Sequence, residues 1–395
     1  MRDSLPLGDL VSLQRGTTYK SELIGEAGPV LLGLGAINRH GGFRNHNFRT
    51  YGGPSPEALL VRPGQLFLSL KDVTQTADLL GAVAQVPRKV GVGRLTQDTV
   101  RLDIQTNAIS TNYLYWMLRT PQYRSYCRSH ATGTTNLGLS REALFAFKVP
   151  LPDVYRHGLV EVLGALDDKI AANGKLAETA DEYLAAQLEM RCRETRGTSI
   201  QLGAIATVNG EVVGPVENGH LRYVDIASVG VGSYELPVRT DWGVAPSRAR
   251  RKISKGDTLW STVRPNRRSH ALNLSEDPLL VGSTGLAVIS PRETGFAFLY
   301  EATKLPEFTA FLENSTSGTA YPAVRAERFN DAPVPALSSE SMDSFEAIAA
   351  PLRTSVAAGC DENRALAALR DTLLPHLMSG RLRVLDAEKI VGDGL

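Results

Sequence analysis

The sequence predicts an α+β protein in which two globular α/β domains alternate with two long helices that pair as an antiparallel coiled coil, an internal duplication with pseudo-twofold symmetry. Three observations lead there. An ordered set of segments occurs twice; two stretches carry apolar residues at alternating steps of three and four; and the length of 395 residues exceeds what one core of ordinary size supports. The predicted boundaries are 1–152 for the first domain, 153–197 for the first helix, 198–337 for the second domain, 338–384 for the second helix and 385–395 for a tail.

The repeat comes first, because a missed repeat misassigns the whole fold. LGDLVSLQRG from Leu7 resembles LGAIATVNGE from Leu202, an apolar strand-like run with a glycine exit at an offset of 195. VRPGQLFLSLKD from Val61 matches ISKGDTLWSTVRP from Ile253: a basic residue, a glycine turn, then alternation of strand type. Gly64 there pairs with Gly256, at an offset of 192. A constant offset of 185 then pairs Leu114 with Leu299, Pro121 with Pro306, Gly133 with Gly318, Thr134 with Thr319 and Pro150 with Pro335. Both copies run helix, Thr/Ser/Gly loop, Arg-bearing segment and Val-Pro strand in that order.

A helix follows each Val-Pro exit. In the first, Leu163, Leu166, Ile170, Ala177, Ala180 and Leu184 recur at the seam spacing of a coiled coil, with Asn173 as a polar, register-setting member. In the second, Phe345, Ile348, Leu352, Val356, Leu366, Leu369, Leu373 and Leu377 do so less regularly. The break near Ala357 to Asp361 reads as a four-residue stutter. Two such seams in one chain bury most simply against each other, and connectivity favours the antiparallel arrangement.

Composition narrows the function classes. No apolar run is long enough to span a bilayer, and MRDSLPLGDL lacks the pattern of a signal peptide, so a cytoplasmic protein is expected. Cys127, Cys192 and Cys360 are widely spaced and in no metal-binding arrangement. Net charge is only +1, so its distribution says more: Arg248 to Arg268 holds eight Lys/Arg and one acid, whereas Glu161 to Glu189 holds seven Asp/Glu against two lysines. Phosphate-loop, dinucleotide, zinc-protease, nucleophile-elbow and amino-methyltransferase signatures are all missing from the sequence. Asp167 and Asp168 are adjacent on a helix and point in different directions, which suits a solvated face better than paired acid–base chemistry. A non-catalytic chain that binds neither metal nor cofactor is expected.

The ordered set LGDLVSLQRG, RPGQLFLSL, ATGTTNLGLSREAL, VPLPD and LGALDDKIAANGKL, with KGDTLWSTVRP, NSTSGTAYPAVR, APVPAL and ENRALAALRDTLLPHLMSGRL, resembles the specificity subunits of Type I restriction-modification systems over nearly the whole chain. The departure is Gly64-Gln65 where the family has Gly-Asp, as in Gly256-Asp257. The resemblance implies a DNA-recognition subunit in which each globular part is a target recognition domain, reading one half of a bipartite, asymmetric site in double-stranded DNA. It implies that the helices set the spacer and dock two modification subunits, which supply S-adenosylmethionine-dependent adenine methylation. Restriction subunits would supply ATP- and Mg-dependent translocation and cleavage.

Residue types in the loops suit that role, since phosphate contacts position a protein and base-edge contacts specify. In the second domain Arg264, Asn266, Arg267 and Arg268 follow a strand, and Lys71 with Thr74 and Gln75 occupies the matching place in the first. The Gly-Thr loops add Thr134, Thr135 and Asn136, and Thr316, Ser317, Thr319 and Tyr321, followed by Arg141 and Arg325. The loop from Asn38 adds Arg39, Arg44, Asn45 and Arg49. Each has an ordinary alternative: arginine-rich loops also form solvated faces, and Ser/Thr beside glycine also cap helices and turns. Tyr113, Tyr115, Trp116, Phe298 and Trp260 read as core. Three other functions stay open: a nuclease whose site is split between the repeats, a scaffold, and an orphan subunit that redirects another methyltransferase.

Overall fold

The structure, a computed structural model, describes residues 4–44, 48–134, 136–195, 197–317 and 322–379. Predicted contacts at Asn45, Thr135, Thr319 and Tyr321, the tail, and the end of the second helix beyond Ser379 lie outside these residues. The chain forms two compact units, one running up to Ala171 and resuming at Glu362, the other spanning Ala172–Asp361.

The first unit contains β1 (Ser4–Pro6), α1 (Leu7–Leu10), β2 (Val11–Arg15), β3 (Val30–Leu32), β4 (Leu60–Val61), β5 (Leu66–Ser69), β6 (Lys71–Asp72), β7 (Val83–Gln85), β8 (Gly93–Leu95) and β9 (Thr99–Ile104). It continues with α2 (Thr111–Met117), α3 (Pro121–Ser129), β10 (Leu137–Gly138), α4 (Arg141–Ala146), β11 (Lys148–Pro150) and α5 (Val154–Glu194), whose later part belongs to the second unit. An antiparallel sheet β2-β9-β5-β7 and a mixed sheet β3-β8-β4 form the body, and β1 pairs with β11. The strand period of two sorts side chains between two cores. Leu66 and Leu68 of β5 pack with Tyr113, Leu114 and Trp116, while Phe67 between them packs with Val30, Leu32 and Leu95. Ser110 caps α2 by accepting from the Tyr113 N–H at 3.1 Å, and Pro121 opens α3, where a missing N–H costs nothing.

The second unit has β12 (Ser199–Gln201), β13 (Ala206–Val208), β14 (His220–Val224), β15 (Arg239–Asp241), β16 (Ala249–Lys252), β17 (Thr258–Ser261), β18 (His270–Leu272), β19 (Leu280–Ser283) and β20 (Leu286–Pro291). After them come α6 (Phe296–Thr303), α7 (Pro306–Asn314), β21 (Pro333–Pro335) and α8 (Ser339–Ser379), which ends in the first unit. Its sheets β13-β20-β17-β18 and β15-β14-β19-β16, with β12 on β21, follow the strand order of the first unit, β15 being an addition. Trp260 lies in the core with Phe298 and Phe308, and Leu259 before it faces the other core, so the aromatic residues assigned to packing are buried.

Helices α5 and α8 are each 41 residues long. In the first unit Leu159, Leu163 and Leu166 of α5 join Leu366, Leu373 and Leu377 of α8 in one cluster with Tyr113 and Trp116. In the second, Leu184 and Leu188 join Phe345 and Ala349 together with Phe298. Residues of the predicted seams thus join the globular cores, while Ile170, Leu352 and Leu369 are only half-buried. Within the first unit Arg156 Nε donates to the Leu377 carbonyl at 3.1 Å, Asp167 pairs with Arg370 at 2.8 Å, and Lys169 with Glu362 at 3.3 Å. Within the second, Asn173 Nδ2 reaches the Gly359 carbonyl at 3.4 Å and Asp181 pairs with Arg353 at 2.6 Å. Asn173 therefore lies opposite a glycine of α8.

Two acidic residues of α5, Asp167 and Asp181, are engaged inside the units. Asp167 also accepts from Arg119 at 3.1 Å, and Asp181 from Lys304 at 2.7 Å. Arg119 and Lys304 lie 185 residues apart, the constant offset of the sequence match. Burial would raise the Asp181 carboxyl, but the Arg353 and Lys304 cations outweigh it and hold the group below the usual carboxylate range. The count of acidic residues along the sequence does not show these pairs, because their cations come from distant segments.

Candidate nucleic-acid interface

In each unit the segment after the central strand is bonded to the Gly-Thr loop, and the same hydrogen bonds do it. Ser69 Oγ, at the end of β5, donates to the Lys71 carbonyl at 2.5 Å and accepts from its N–H at 3.0 Å. Ser261 does the same to Val263, at 2.9 and 3.3 Å. The Leu139 N–H donates to the Leu70 carbonyl at 2.9 Å, as Val324 does to Thr262 at 2.8 Å. The loop itself closes by reciprocal bonds between Thr132 and Gly138, matched by Ser317 and Ala323. Gly133 is required for that closure: it turns at φ +100°, and a β-carbon there would lie 2.4 Å from the Asn136 carbonyl oxygen.

In the first unit this junction frames a cleft of about 260 Å³ lined by Lys71, Asp72, Val73, Gln97, Asp98 and Asn136, among others. Lys71 is exposed, but its ammonium pairs with Asp98 at 3.1 Å. The Thr74 hydroxyl is held by the buried Asp72 carboxylate at 2.8 Å. Thr134 and Asn136 are exposed, the Thr134 carbonyl accepting from Gln75 Nε2 at 3.4 Å. Arg39 and Arg49 are exposed on the preceding loop and Arg44 is half-buried. Arg141 lies over the Phe145 ring at 4.8 Å.

In the second unit, the one-turn 3-10 helix Pro265–Arg267 is bracketed by Arg264 and Arg268, both left-handed, at φ 52° and 53°. Non-glycine residues seldom adopt this conformation, and it persists where the surroundings enforce it. Here the Arg264 N–H donates to the Pro322 carbonyl at 2.8 Å, Pro265 is buried, and His270 Nδ1 lies 2.6 Å from the Arg268 carbonyl. The Arg268 guanidinium donates to the Lys304 carbonyl, so this predicted base reader is tied to its own unit. Asn266 and Arg267 are exposed at the crown. Thr316 donates to the Glu313 carbonyl at 2.9 Å at the end of α7, a capping role, while Ser317 and Arg325 are exposed.

The basic run is divided between two sheets. Arg248 to Lys252 leads into and forms β16, on a different sheet from the strand that precedes Arg264. Lys252 pairs with Glu211 and Lys255 with Glu276, each at 2.6 Å. Counting charge along the chain misses such partners, which arrive from other strands. Sequence reasoning also missed Asp72, Asp98 and Arg124. The recurrence of Ser69 and Ser261 at one offset was a visible signal, whereas Arg124 lies mid-helix among polar residues and only packing shows it buried.

Among the described residues no cluster of His, Cys, Asp and Glu can hold a metal ion, and no helix is long and apolar enough to cross a membrane. No family model and no curated protein matches the sequence. Among solved structures, the chain resembles the crystal structure of a Type-I restriction-modification system S subunit from M. genitalium at 16% identity and a TM-score of 0.59, covering 95% of each chain. An HsdS subunit from Thermoanaerobacter tengcongensis aligns at 16% identity over 96% of this chain and 97% of that one, with a TM-score of 0.36. A structure addressing assembly and conformational transition of the type I R-M system aligns at 15% over 96% and 98%, also with a TM-score of 0.36. The M. genitalium likeness establishes a shared fold over nearly the whole chain.

Proposed function

We propose that this chain is the DNA-recognition subunit of a Type I restriction-modification complex. It is an internal duplication in which each globular part reads one half of a bipartite, asymmetric site in double-stranded DNA. The observation that carries the reading is the junction of post-strand segment and Gly-Thr loop, built by the same hydrogen bonds in both units but bearing different exposed side chains. Shared architecture with different surface chemistry is what two heads reading different half-sites require. The shared fold with an S subunit supports it.

The chain acts by binding, in the cytoplasm, with 1–152 and 198–337 as recognition domains. Helices α5 and α8 pair as an antiparallel coiled coil that docks two modification subunits and the restriction subunits. The descending α8 partners of ascending α5 residues support the antiparallel sense. S-adenosylmethionine, ATP and Mg belong to those partners. Arg39, Arg44, Arg49, Arg264 and Arg325 suit phosphate contacts, whose weight shows as a steep salt dependence. Asn173 opposite Gly359 sets the register of the helices.

The test is to map methylated adenines in cells expressing the chain with its cognate modification subunit, then again after replacing residues 1–152 by another recognition domain. A bipartite motif in which only one half changes is expected. Absence of any motif, or a change in both halves together, overturns the reading.

A further inference from the structure

We propose, resting on the recognition reading above, that the tips of the two post-strand segments read different base pairs: Gln75 with Val73 an A·T pair in one half-site, and Arg267 a G·C pair in the other.

The tip of the first unit is anchored at both ends. The buried Asp72 carboxylate accepts from the Thr74 N–H at 2.8 Å and the Leu79 N–H at 2.6 Å. The buried Arg124 donates to the carbonyls of Leu80, Asp78 and Ala77 at 2.6, 2.7 and 3.2 Å. Between these anchors Gln75 is exposed and Val73 is 64% exposed, an apolar side chain with no core to join. One Gln75 N–H is directed to the Thr134 carbonyl, which leaves the other N–H and Oε1. That donor–acceptor pair complements adenine N7 and N6 in the major groove, and an apolar side chain beside it suits the thymine methyl. Lys71, the one cation of the segment 71–80, is paired to Asp98, so the side chains at the tip suit specifying more than positioning.

The second tip is held by opposite chemistry. Its two left-handed arginines, the buried Pro265 and the Arg268–Lys304 bond fix the turn from below. The exposed Arg267 then presents a planar cationic fork on a rigid support, and that fork matches guanine O6 and N7. A turn fixed this way loses little backbone freedom on binding.

The experiment is selection of binding sites from random duplexes by the full-length chain with its modification subunit. It compares wild type, Gln75→Ala, Arg267→Ala and Arg267→Lys, with a thermal melt of each to confirm folding. Gln75→Ala is expected to relax one A·T position in one half by about 5- to 100-fold in discrimination, leaving the other half intact. Arg267→Ala is expected to relax one G·C position in the other half by a similar factor, and Arg267→Lys to do so too, because lysine keeps the charge but loses the fork. A wild-type chain that enriches no motif overturns the recognition reading and this inference with it. A bipartite wild-type motif left unchanged in the variants overturns this inference alone. So does weakening that is uniform across sequences with a shallower salt slope, the mark of a phosphate contact.

Discussion

Replacing Arg353 with methionine is expected to destabilise the second unit by about 3–5 kcal/mol, because it leaves the Glu301 carboxylate buried without its main partner. Glu301 is 1% exposed, and the Arg353 guanidinium bonds to it while also reaching Asp181 at 2.6 Å. Lys304 supports the same carboxylate at 2.9 Å. The Tyr300 ring lies 5.0 Å under the guanidinium, so the side chain also packs. Removing both charges, as Glu301→Leu with Arg353→Met, is expected to recover most of the loss, since a buried pair is often no better than apolar side chains of similar volume. Urea unfolding of the full chain, followed by tryptophan fluorescence, reads this, since Trp260 belongs to the same core as α6. A loss below about 1 kcal/mol for the single variant, a size typical of exposed pairs, contradicts the account.

Acid is expected to weaken the same unit well above the pH at which carboxylates protonate. His270 is 2% exposed and stacked on Trp260 with ring centroids 5.1 Å apart. Burial pushes its pKa down to about 4; the Lys304 and Arg268 cations act the same way, against the Arg268 carbonyl and Asp181, which favour the proton. Because the folded value lies below the ordinary one of 6.5, the neutral ring is what the fold accommodates. The stabilisation is complete above about pH 6.5 and is lost as the pH falls toward 4, reaching about 3 kcal/mol when the ring is charged. His270→Asn, which keeps a donor for the Arg268 carbonyl, is expected to flatten the dependence of the melting temperature on pH between 6.5 and 4. Wild type and variant with parallel profiles over that interval would show that another group titrates. The turn carrying Asn266 and Arg267 rests on this histidine through the Arg268 carbonyl. Binding that involves Arg267 should therefore weaken only as the pH approaches 4, where the ring of the folded protein gains its proton.

The candidate site was legible in its parts and not in its assembly. Constant offsets along the chain picked out the post-strand segments and the Gly-Thr loops, because each repeats in order. That Leu70 bonds to Leu139 and Thr262 to Val324 was not visible, since these residues are far apart in sequence and meet only when the sheets form. Arginines were legible as cations but not as free ones. Arg267 is exposed and Arg268, its neighbour, is half-buried with its guanidinium bonded to the Lys304 carbonyl, a difference set by a left-handed turn that residue identity alone does not announce. Lys71, Lys252 and Lys255 lost their expected freedom to Asp98, Glu211 and Glu276 for the same reason.

Amphipathic periodicity determined that two long helices exist and where they lie, because a seam at steps of three and four has no other stable conformation to occupy. Alternation determined the central strands and the inward Trp260, because a strand shows successive side chains to opposite faces. The tertiary structure alone decided what those seams cover. Leucines of the predicted seams close the globular cores, and Asp167, which reads as solvated, is drawn into ion pairs with Arg119 and Arg370 from distant segments. Local periodicity records which face is apolar, whereas the identity of the opposing surface depends on which remote elements the folded chain brings there.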